Sequence, residues 1–499
     1  MKTILIVDTG TTSIRCSIID TIGTVIKTFS VHHPPLYYCD GRVEHDGFSY
    51  ITHLEELMGE SSLYVNQNNH SIIGVALTSF RSAVVPVNKE GSPLHNMIMW
   101  QDKRTDNLLD SYTPHLDVIN NKTGALISSL FSSLKMQWIR NTIPSVYKDT
   151  YKLVGVQDLM IHHLCGVFAT DYSLAGRTSL LNIHTLSWDK ELLDLYMVEE
   201  DKLCSLIAVG SIVGSLKKEV ALRTGLCEGI PIISSGGDQQ CAALGAGLLD
   251  EKKVVANTGT GSYVVGLTKT PSIDPQKRVF CTPSSLPGLY HLEGGMISTG
   301  SVYRWFKELL SVDATSHIDF ASLDELVTLS PPHAGGVIVL PHFKGSGSPY
   351  WNSEAKGTIA NLTLSTTRGD IARAILESIA LEIKENVSIF EQLTSPITEM
   401  RVSGGMAKSA IFNQIQADML QKKVIQPYNT ETTTLGAWIN AIVTLGYYSN
   451  QEKAYYAATQ SQDPISFTPD KGLLPIYQEL ERKKKELVAA YSLILKGPH

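Results

Sequence analysis

Residues 4–13 read Ile-Leu-Ile-Val-Asp-Thr-Gly-Thr-Thr-Ser, an apolar strand that runs directly into a tight turn of glycine and hydroxyl residues. The same plan returns half a chain later, where residues 254–262 read Val-Val-Ala-Asn-Thr-Gly-Thr-Gly-Ser. Glycine lets a ligand approach the backbone closely, and Thr and Ser add hydroxyl donors beside free backbone N–H groups. Such a turn suits an anion such as phosphate. Two such turns that face each other would bind a polyphosphate from both sides. This arrangement is typical of a nucleotide phosphotransferase.

The composition of the chain describes an ordinary globular enzyme. Its 499 residues exceed one usual core, so at least two domains are expected. Hydrophobic residues make up 43% and charged residues 18% of the chain. The net charge of −7 and the lack of a basic stripe with interleaved aromatics argue against nucleic acid as a partner. The basic run at 482–485 lies among apolar residues at helical spacing, which predicts the solvated face of a C-terminal helix.

Cysteine usage and the N-terminus bear on the compartment. The 7 cysteines are scattered without a Cys-x-x-Cys pair, which indicates neither a zinc site nor a disulfide framework. The first apolar strand is too short for a signal peptide, and no apolar run reaches the length of a membrane span. We therefore expect a cytoplasmic protein with reduced thiols and no membrane partner.

The first half of the chain alternates strands with turns and then becomes helical. Residues 1–30 have the pattern of a β-meander, and further apolar strands appear between 71 and 102. Helical periodicity dominates residues 105–230. A buried strand at 232–238 ends in Gly-Gly-Asp, and the small residues of 239–247 follow as a helix that can pack closely against a neighbour.

The second half repeats this plan. A meander is predicted at 253–268, a strand at 335–341, a helix at 368–392 and a strand ending in glycines at 401–405. A late helix of small residues opens at Leu435. The repetition predicts an α/β protein with two halves of similar plan around a cleft.

The domain boundary is expected near residues 247–252, since no low-complexity linker separates the halves. The predicted domains are 1–247 and 248–499. The boundary itself is predicted to be a hinge inside a compact body.

Two carboxylates stand at strand ends and are candidates for chemistry. Asp8 is well placed to hold hydrated Mg²⁺ beside phosphates, because Mg²⁺ keeps most of its waters and takes one or two protein carboxylates. The alternative for Asp8 is a turn-initiating residue bonded to nearby N–H groups. Asp238 follows a buried strand, where α/β sheets bind ligands, and could accept a proton from a substrate hydroxyl. Its alternative role is to cap the following helix, which is compatible with the first.

Other candidates are individually weaker. Arg81 follows an apolar strand and either binds substrate or is an ordinary surface arginine. Trp100 and Asp102 could form a sugar platform and a hydroxyl acceptor, or a core tryptophan with an exposed aspartate. The glycine pair in Ser-Gly-Gly-Met at 403–406 could lie against a ligand or simply let two backbones approach. Neither a Gly-x-x-x-x-Gly-Lys-Ser/Thr loop nor a strand followed by Gly-x-Gly-x-x-Gly is present, so Walker and Rossmann sites are unsupported.

Taken in order, these segments resemble the FGGY carbohydrate kinases, which share the fold of actin and the heat-shock chaperone ATPases. Residues 8–15 are similar to that family's first phosphate loop, 100–105 to its Trp-x-Asp-x-Arg segment, and 257–261 to its second phosphate loop. Residues 236–239 match the position of its catalytic base. The segment 300–305 is similar to its nucleotide-contacting Gly-x-x-x-x-Trp.

Two later segments extend the resemblance to nearly the whole chain. Residues 349–377 follow one family signature closely, although Asn361 replaces a usual glycine. Residues 403–408 resemble the adenine-binding turn, with Ser409 where many members carry asparagine.

The resemblance implies two actin-like (ribonuclease H-like) domains flanking a nucleotide/sugar cleft, with ATP and Mg²⁺ as cofactors. It implies that domain 1–247 binds the sugar and supplies the base, that domain 248–499 binds the nucleotide, and that Asp8 is a metal site and Asp238 the general base. The implied substrate-binding residues are Arg81, Trp100, Asp102, Asp238 and Gln239. The implied nucleotide-binding residues are Thr9, Gly10, Thr11, Thr12, Arg15, Gly259, Thr260, Gly261, Gly300, Arg304, Gly404, Gly405, Met406 and Ser409.

In the segments that would contact the acceptor substrate, the sequence departs from the motifs of both glycerol kinases and xylulose kinases. Glycerol kinases carry Asn-Gln-Arg-Glu where residues 79–82 read Ser-Phe-Arg-Ser, and their substrate-contacting tyrosine is replaced by Leu130. The Met-His-Gly of xylulose kinases is also absent. The expectation is therefore an ATP-dependent kinase acting on a primary hydroxyl of a small polyol, keto-sugar or related open-chain carbohydrate.

Several alternatives remain open from the sequence. An autoinducer-2-type kinase of the same family fits the same residues. A nucleotide-driven switch of the actin or chaperone kind shares the fold but leaves Arg81, Trp100 and Asp102 without a role. A silent member is disfavoured because Asp8, Asp238 and Thr260 are in place. The expected partner is a small carbohydrate, and a homodimer is left open.

Overall fold

The computed structural model describes residues 1–311, 318–428, 431–460 and 463–495. The strands of the N-terminal half are β1 (Lys2–Thr9), β2 (Ser13–Asp20), β3 (Val25–His32), β4 (Leu36–Tyr37), β5 (Val43–His45), β6 (Ser71–Ser79), β7 (Val85–Val87), β8 (Met97–Ile98), β9 (Lys152–Val154), β10 (Ala169–Asp171), β11 (Leu181–Asn182), β12 (Ser187–Trp188), β13 (Ser205–Ile207), β14 (Ile212–Ser215) and β15 (Pro231–Gly237). Its helices are α1 (Gly47–Gln67), α2 (Leu109–Tyr112), α3 (Leu116–Thr123), α4 (Ser132–Thr142), α5 (Pro144–Asp149), α6 (Val156–Cys165), α7 (Tyr172–Ala175), α8 (Lys190–Tyr196), α9 (Lys218–Thr224) and α10 (Asp238–Gly245).

The C-terminal half has the same alternation of strands and helices. Its strands are β16 (Lys253–Thr258), β17 (Ser262–Thr268), β18 (Phe280–Pro283), β19 (Tyr290–Met296), β20 (Ile338–Leu340), β21 (Thr358–Ala360), β22 (Glu399–Ser403), β23 (Lys423–Gln426) and β24 (Ile465–Phe467). Its helices are α11 (Gly300–Leu310), α12 (Phe320–Leu329), α13 (Arg368–Leu393), α14 (Ala410–Leu420), α15 (Thr432–Thr444), α16 (Gln451–Thr459) and α17 (Leu474–Leu495).

The two large sheets share one topology. The N-terminal sheet has the order β14-β15-β6-β1-β2-β3, with β1, β2 and β3 antiparallel and β1, β6 and β15 parallel. The C-terminal sheet has the order β18-β19-β17-β16-β22-β23-β24, with β16, β17 and β19 antiparallel and β16, β22 and β23 parallel. Three antiparallel strands followed by two parallel ones therefore occur in each half. The prediction of two α/β halves of the same plan is confirmed.

The central strand β1 is apolar over most of its length, as is typical of a strand covered on both faces. In β1, residues 4–7 are fully buried. Helices α1 and α6 pack on one face of the N-terminal sheet, and α15 packs on the other, against β1, β6 and β15. Helix α15 comes from the C-terminal half of the chain, so one buried cluster contains residues of both sheets, among them Ile4 and Val255.

Two glycines allow α10 and α15 to cross at close range. A Cβ atom at Gly436 would lie 1.9 Å from the carbonyl oxygen of Cys241, and one at Gly245 would lie 1.9 Å from that of Thr432. Both obstacles are backbone atoms, which cannot rotate away as a side chain can. The small-residue character of the two helices, visible in the sequence, is therefore a requirement of this crossing.

The basic run at 482–485 corrects one expectation. It lies in α17 as predicted, and Arg482 and Lys485 are exposed. Lys484 is only 1% exposed, and its ammonium group lies 3.1 Å from Glu385 and 3.7 Å from Glu382. The solvated-face prediction is wrong for Lys484 because two carboxylates of α13 give it buried partners.

The structure also gives the state of the cysteines and the character of the helices. All 7 cysteines are free thiols in the structure. Across the ranges that the structure describes, no helix is both long enough and apolar enough to cross a membrane.

The helix crossing predicts the effect of Gly436→Ala. The added methyl group meets the backbone of α10, so the free energy of unfolding should fall by about 1–3 kcal/mol or more, as in overpacked cores. The measurement is urea unfolding followed by circular dichroism. Gly59→Ala is the matched control. Gly59 lies inside α1, and its Cβ would meet only the Thr224 carbonyl oxygen, at 3.9 Å. Equal stability of the two variants would contradict the crossing argument.

Candidate active site

The first glycine turn joins β1 to β2 at the edge of the cleft. The Gly10 N–H donates to the Ser13 carbonyl at 2.9 Å and closes the turn. The Thr9 hydroxyl points into the core, where it donates to the sulfur of Met160 at 3.4 Å. The Thr11 hydroxyl accepts from Trp100 Nε1 at 3.1 Å. The side chains of Thr9 and Thr11 are thus both engaged, and Thr9 is fully buried.

Asp8 lies at the end of β1 and is almost completely buried. Arg15 donates from Nη2 to Asp8 Oδ2 at 2.8 Å and from Nη1 to Glu431 Oε2 at 2.8 Å. Burial raises the pKa of Asp8 to about 6, with Arg15 opposing the rise and Asp238 and Glu431 adding to it. Burial is thus the main reason that the Asp8 carboxylate resists ionisation, and the neighbouring carboxylates of Asp238 and Glu431 add to it.

A pocket of about 170 Å³ lies beside this turn. Of the residues predicted to contact substrate or nucleotide, those that line it are Thr11, Arg81, Trp100, Asp238 and Gln239. The other lining residues are Phe80, Ser82, Leu130, Arg177 and Tyr263. We call it the acceptor pocket. Ser82 and Leu130, where the sequence departs from glycerol kinases, both belong to it, and Tyr263 comes from β17 in the C-terminal half.

Asp238 begins α10, and Gly237 is the N-cap residue. The Asp238 Oδ1 accepts the N–H of Gln239 at 2.7 Å and lies 3.8 Å from Arg81 Nε. Burial raises the pKa of Asp238 above its usual range, while Arg81 opposes the rise. A Cβ at Gly237 would lie 2.7 Å from Arg81 Cδ, so the glycine makes room for the arginine beside the carboxylate.

A buried network holds this turn from behind. Ser173 Oγ accepts the N–H of Gly237 at 2.9 Å and donates to Asp171 Oδ1 at 2.6 Å. Ser234 Oγ donates to Asp171 Oδ2 at 2.6 Å. Asp171 therefore fixes the backbone from which Asp238 projects, a role that no local motif of the sequence announces.

An ion cluster joins the two halves at the base of the acceptor pocket. Glu293 in β19 accepts from Arg81 Nη1 at 3.2 Å and from Arg177 Nη1 at 3.5 Å, and Thr282 Oγ1 donates to it at 2.6 Å. Burial alone would raise the pKa of Glu293, but the two guanidinium groups hold it down at about 2. Arg177 Nε is buried without a hydrogen-bond partner beside the pocket.

Asp102 is placed differently from Trp100. Its carboxylate accepts from Arg104 Nε and Nη2, each at 2.8 Å, and from the N–H of Val43 at 2.6 Å. It is 1% exposed and is not among the residues that line the acceptor pocket. The structure therefore uses Asp102 to anchor Arg104.

A second and larger cavity, of about 530 Å³, opens beside the second glycine turn. The predicted nucleotide residues that line it are Gly259, Thr260, Gly300, Arg304, Gly405, Met406 and Ser409. The lining residues that were not predicted are Tyr303, Phe320, Ala321, Asp324 and Lys408. We call it the nucleotide cavity, because its volume and mixed apolar and polar lining are typical of sites for ligands of nucleotide size.

Three glycines at or beside this cavity, Gly261, Gly300 and Gly404, are required by close backbone contacts. A Cβ at Gly300 would lie 2.3 Å from the Gly259 carbonyl oxygen, and one at Gly261 would lie 2.7 Å from that of Met296. Gly404 has a φ of +84° and approaches the Thr258 carbonyl oxygen. Gly261 and Gly404 thus shape the turns without lining the cavity.

Other predicted nucleotide residues lie outside the lining of this cavity. They are the first-turn residues Thr9, Gly10, Thr11 and Thr12 and the Asp8 partner Arg15. Sequence reasoning missed Arg177 and Tyr263, which line the acceptor pocket, and Glu293, which bonds Arg81, because tertiary packing brings them there. The unpredicted aromatic wall of the nucleotide cavity belongs to α11 and α12, where it follows helical spacing and looks like core.

The arrangement defines a class of protein. A carboxylate beside a small polar pocket, a glycine-lined cavity for a larger ligand and two halves of one topology are the parts needed to bring a hydroxyl to a polyphosphate. Family models bear this out: the N-terminal domain of the FGGY family of carbohydrate kinases matches residues 3–245, and its C-terminal domain matches 254–445. The chain belongs to the FGGY family of carbohydrate kinases and is a phosphotransferase.

Individual relatives agree with this assignment. A glycerol kinase of Pseudothermotoga lettingae is 32% identical over 467 residues, covering 91% of each chain. A glycerol kinase of Thermococcus onnurineus is 32% identical over 471 residues, covering 93% of each. Among solved structures, a xylulose kinase of Rhodospirillum rubrum has a TM-score of 0.92 at 25% identity, covering 99% of this chain and 100% of its own. A gluconate kinase of Lactobacillus acidophilus has a TM-score of 0.92 at 23% identity, covering 98% of each chain, which shows the fold.

The ion cluster predicts the effect of Glu293→Gln. The substitution keeps the volume but leaves two buried guanidinium groups without their counter-charge, so the free energy of unfolding should fall by about 3–5 kcal/mol. Because the folded pKa lies below the unfolded one, this stabilisation is present above pH ~4.3 and is lost as the pH falls towards 2. Urea unfolding at several pH values measures it.

Glu377→Gln is the matched control, since Glu377 is also buried and bonds Arg373 at 2.9 Å outside the acceptor pocket. Both variants should lose stability, but only Glu293→Gln should raise the KM for the acceptor, because Arg81 lines the pocket. Unchanged acceptor KM in both would separate Glu293 from the pocket.

Proposed function

We propose that the protein transfers the γ-phosphoryl group of ATP to a primary hydroxyl of a small open-chain carbohydrate such as a polyol or keto-sugar. The observation that carries this is the pairing of Asp238 with Arg81 in a pocket of about 170 Å³, beside the turn that bears Asp8. The relatives at 30–32% identity are named glycerol kinases. Ser82 and Leu130 favour an acceptor other than glycerol, because they remove two polar contacts expected of glycerol kinases.

In this proposal Asp238 is the general base. Its carboxylate accepts the proton of the attacking hydroxyl, and the Gln239 N–H and Arg81 keep it oriented and ionised. Trp100 and Leu130 cover the carbon chain, while Arg81 and Gln239 bond the other oxygens. Closure of the two halves would exclude water that competes with the hydroxyl for the phosphoryl group.

The nucleotide and the metal are assigned to the two glycine turns. The residues of the nucleotide cavity would hold ATP, with Gly405 offering open space because no atom lies within 4 Å of its Cβ position. Asp8 fits Mg²⁺ because its carboxylate stands at the end of β1 beside the first glycine turn, where a cation would offset both its burial and the repulsion from Asp238 and Glu431. Among the residues described, no group of three or more metal-ligating side chains is present, so the ion would depend on Asp8, water and phosphate. When bound, Mg²⁺ neutralises charge on the phosphates.

The wider context follows from the same proposal. We place the enzyme in the cytoplasm, in keeping with its free thiols, and retain 1–247 and 248–499 as its domains. A homodimer stays an open alternative, because the sequence does not determine the oligomeric state. The switch alternative lacks support, because the matching family models are those of carbohydrate kinases.

The first test is a coupled ADP-release assay with Mg-ATP and a panel of glycerol, longer polyols, ketoses, aldoses, aldonic acids and the autoinducer-2 precursor. Strong stimulation by one compound supports the proposal and identifies the acceptor. Silence across the panel, with ATP still bound, contradicts it.

Asp238→Asn removes the proposed base without changing its size. With the best acceptor, kcat should fall by about 10²- to 10⁴-fold, the usual contribution of a general base. Binding of ATP and the melting temperature should stay close to wild type. Asp189→Asn is the control, because Asp189 also lies at a helix N-terminus and Asn is an equally good cap there. Retention of more than about a tenth of wild-type turnover, ~1.4 kcal/mol of barrier, would remove Asp238 as the base.

The pH dependence separates the two carboxylates. Because both must be ionised and both have raised pKa values, kcat/KM should fall on the acid side at a pH above the usual aspartate value of ~3.9. A limb caused by Asp8, near pH 6, should move to lower pH when Mg²⁺ is increased, since the ion competes with the proton. A limb caused by Asp238 should not move. An acid limb at or below the ordinary aspartate pKa would contradict both assignments.

A further inference from the structure

Lys135 in α4 is a buried cation that the proposed reaction does not use. It is fully buried, with no solvent exposure. Among the contacts of the described residues, its ammonium group donates only to backbone carbonyl oxygens. A buried lysine with no paired carboxylate is costly, because desolvation opposes its charge. Burial lowers its pKa to about 7. A lysine buried at this cost indicates a role for its ammonium group at this position.

The carbonyl groups that Lys135 binds belong to two separate segments. Its Nζ donates to the carbonyls of Ser129 at 2.7 Å, Leu130 at 2.8 Å and Phe131 at 3.2 Å. It also donates to the Ser82 carbonyl at 3.3 Å. Leu130 and Ser82 line the acceptor pocket. Lys135 therefore ties together two walls of that pocket from behind.

The Ser82 wall needs such a tie. Ser82 has a φ of +69°, in the left-handed region that non-glycine residues adopt at a cost. Phe80, Arg81 and Ser82 also line a third, smaller cavity of about 30 Å³. The segment thus borders two cavities. Its hydrogen bond to Lys135 is one of the contacts that hold it, together with the bonds of Arg81 to Glu293 and of the Ser82 hydroxyl to the Arg177 carbonyl.

We propose that Lys135 is a positioning residue for acceptor specificity. By holding the Ser82 and Leu130 carbonyls on one ammonium group, it sets the distance between the two walls and the direction of Arg81, which projects from the same segment. It touches neither substrate nor nucleotide. The identity of the acceptor rests on the proposed function, whereas the coupling between the walls rests on the contacts of Lys135.

Lys135→Met tests this, because methionine keeps the length and removes every donor. The expected result is a rise in acceptor KM of about tenfold with the KM for ATP unchanged, the pattern of lost acceptor binding. The ratios of kcat/KM across the acceptor panel should also become more alike, since a looser pocket discriminates less. Steady-state kinetics with each substrate varied separately give both quantities.

Lys484→Met is the matched control, because Lys484 is the same residue type, equally buried, and its partners Glu382 and Glu385 lie on α13. It should lower the melting temperature without altering acceptor KM or the ratios across the panel. If Lys135→Met behaves like Lys484→Met in both kinetic readouts, Lys135 has only a structural role and the inference is overturned.

A double-mutant cycle covers the case in which Lys135→Met does not fold. Lys135→Gln keeps a shorter donor, and Leu130→Ala changes the wall directly while leaving its carbonyl in place. If Lys135 acts through this wall, the effects of the two changes on acceptor kcat/KM are not additive. Additive effects overturn the inference. A wild-type enzyme that no acceptor stimulates would instead contradict the proposed function.

Discussion

The crossing of α10 and α15 is the contact on which the rest of the structure depends. It carries a helix of the C-terminal half onto the N-terminal sheet, and Gly245 and Gly436 set its distance by the contact of a bare Cα with a facing carbonyl. Because α10 begins at Asp238, the same helix that joins the halves also places the proposed base. A change in the spacing of the two helices is therefore a change in the position of that carboxylate.

The site is built from charges that compensate each other across the two halves. Glu293 and Tyr263 come from the C-terminal sheet and meet Arg81 in the N-terminal half. A buried carboxylate between two guanidinium groups is stable only while all three remain in place. The acceptor pocket is thus complete only when the halves are together, which suits an enzyme that must exclude water from a reacting phosphoryl group.

The nucleotide cavity and the acceptor pocket differ in the groups that form their walls. Part of the wall of the nucleotide cavity is backbone, because a Cβ at Gly300 would collide with the Gly259 carbonyl oxygen, and the rest is formed by side chains of α11, α12 and the turn at 405–409. The acceptor pocket is bounded by side chains and by a strained serine held from behind by Lys135. The proteins to which this chain is similar are named glycerol, xylulose and gluconate kinases, names that differ in the acceptor.

The sequence by itself determined the repeated strand–turn–strand plan, the two α/β halves and the glycine turns, because apolar periodicity and glycine placement act within a few residues of each other. It also singled out Arg81, Trp100 and Asp238, which lie together in one pocket. Tertiary structure alone decided that Asp102 anchors Arg104, that Arg177 and Glu293 meet over 116 residues, and that Lys135 and Lys484 are buried. These contacts follow from the packing of distant segments, and neither hydrophobic pattern nor local spacing records which segments will touch.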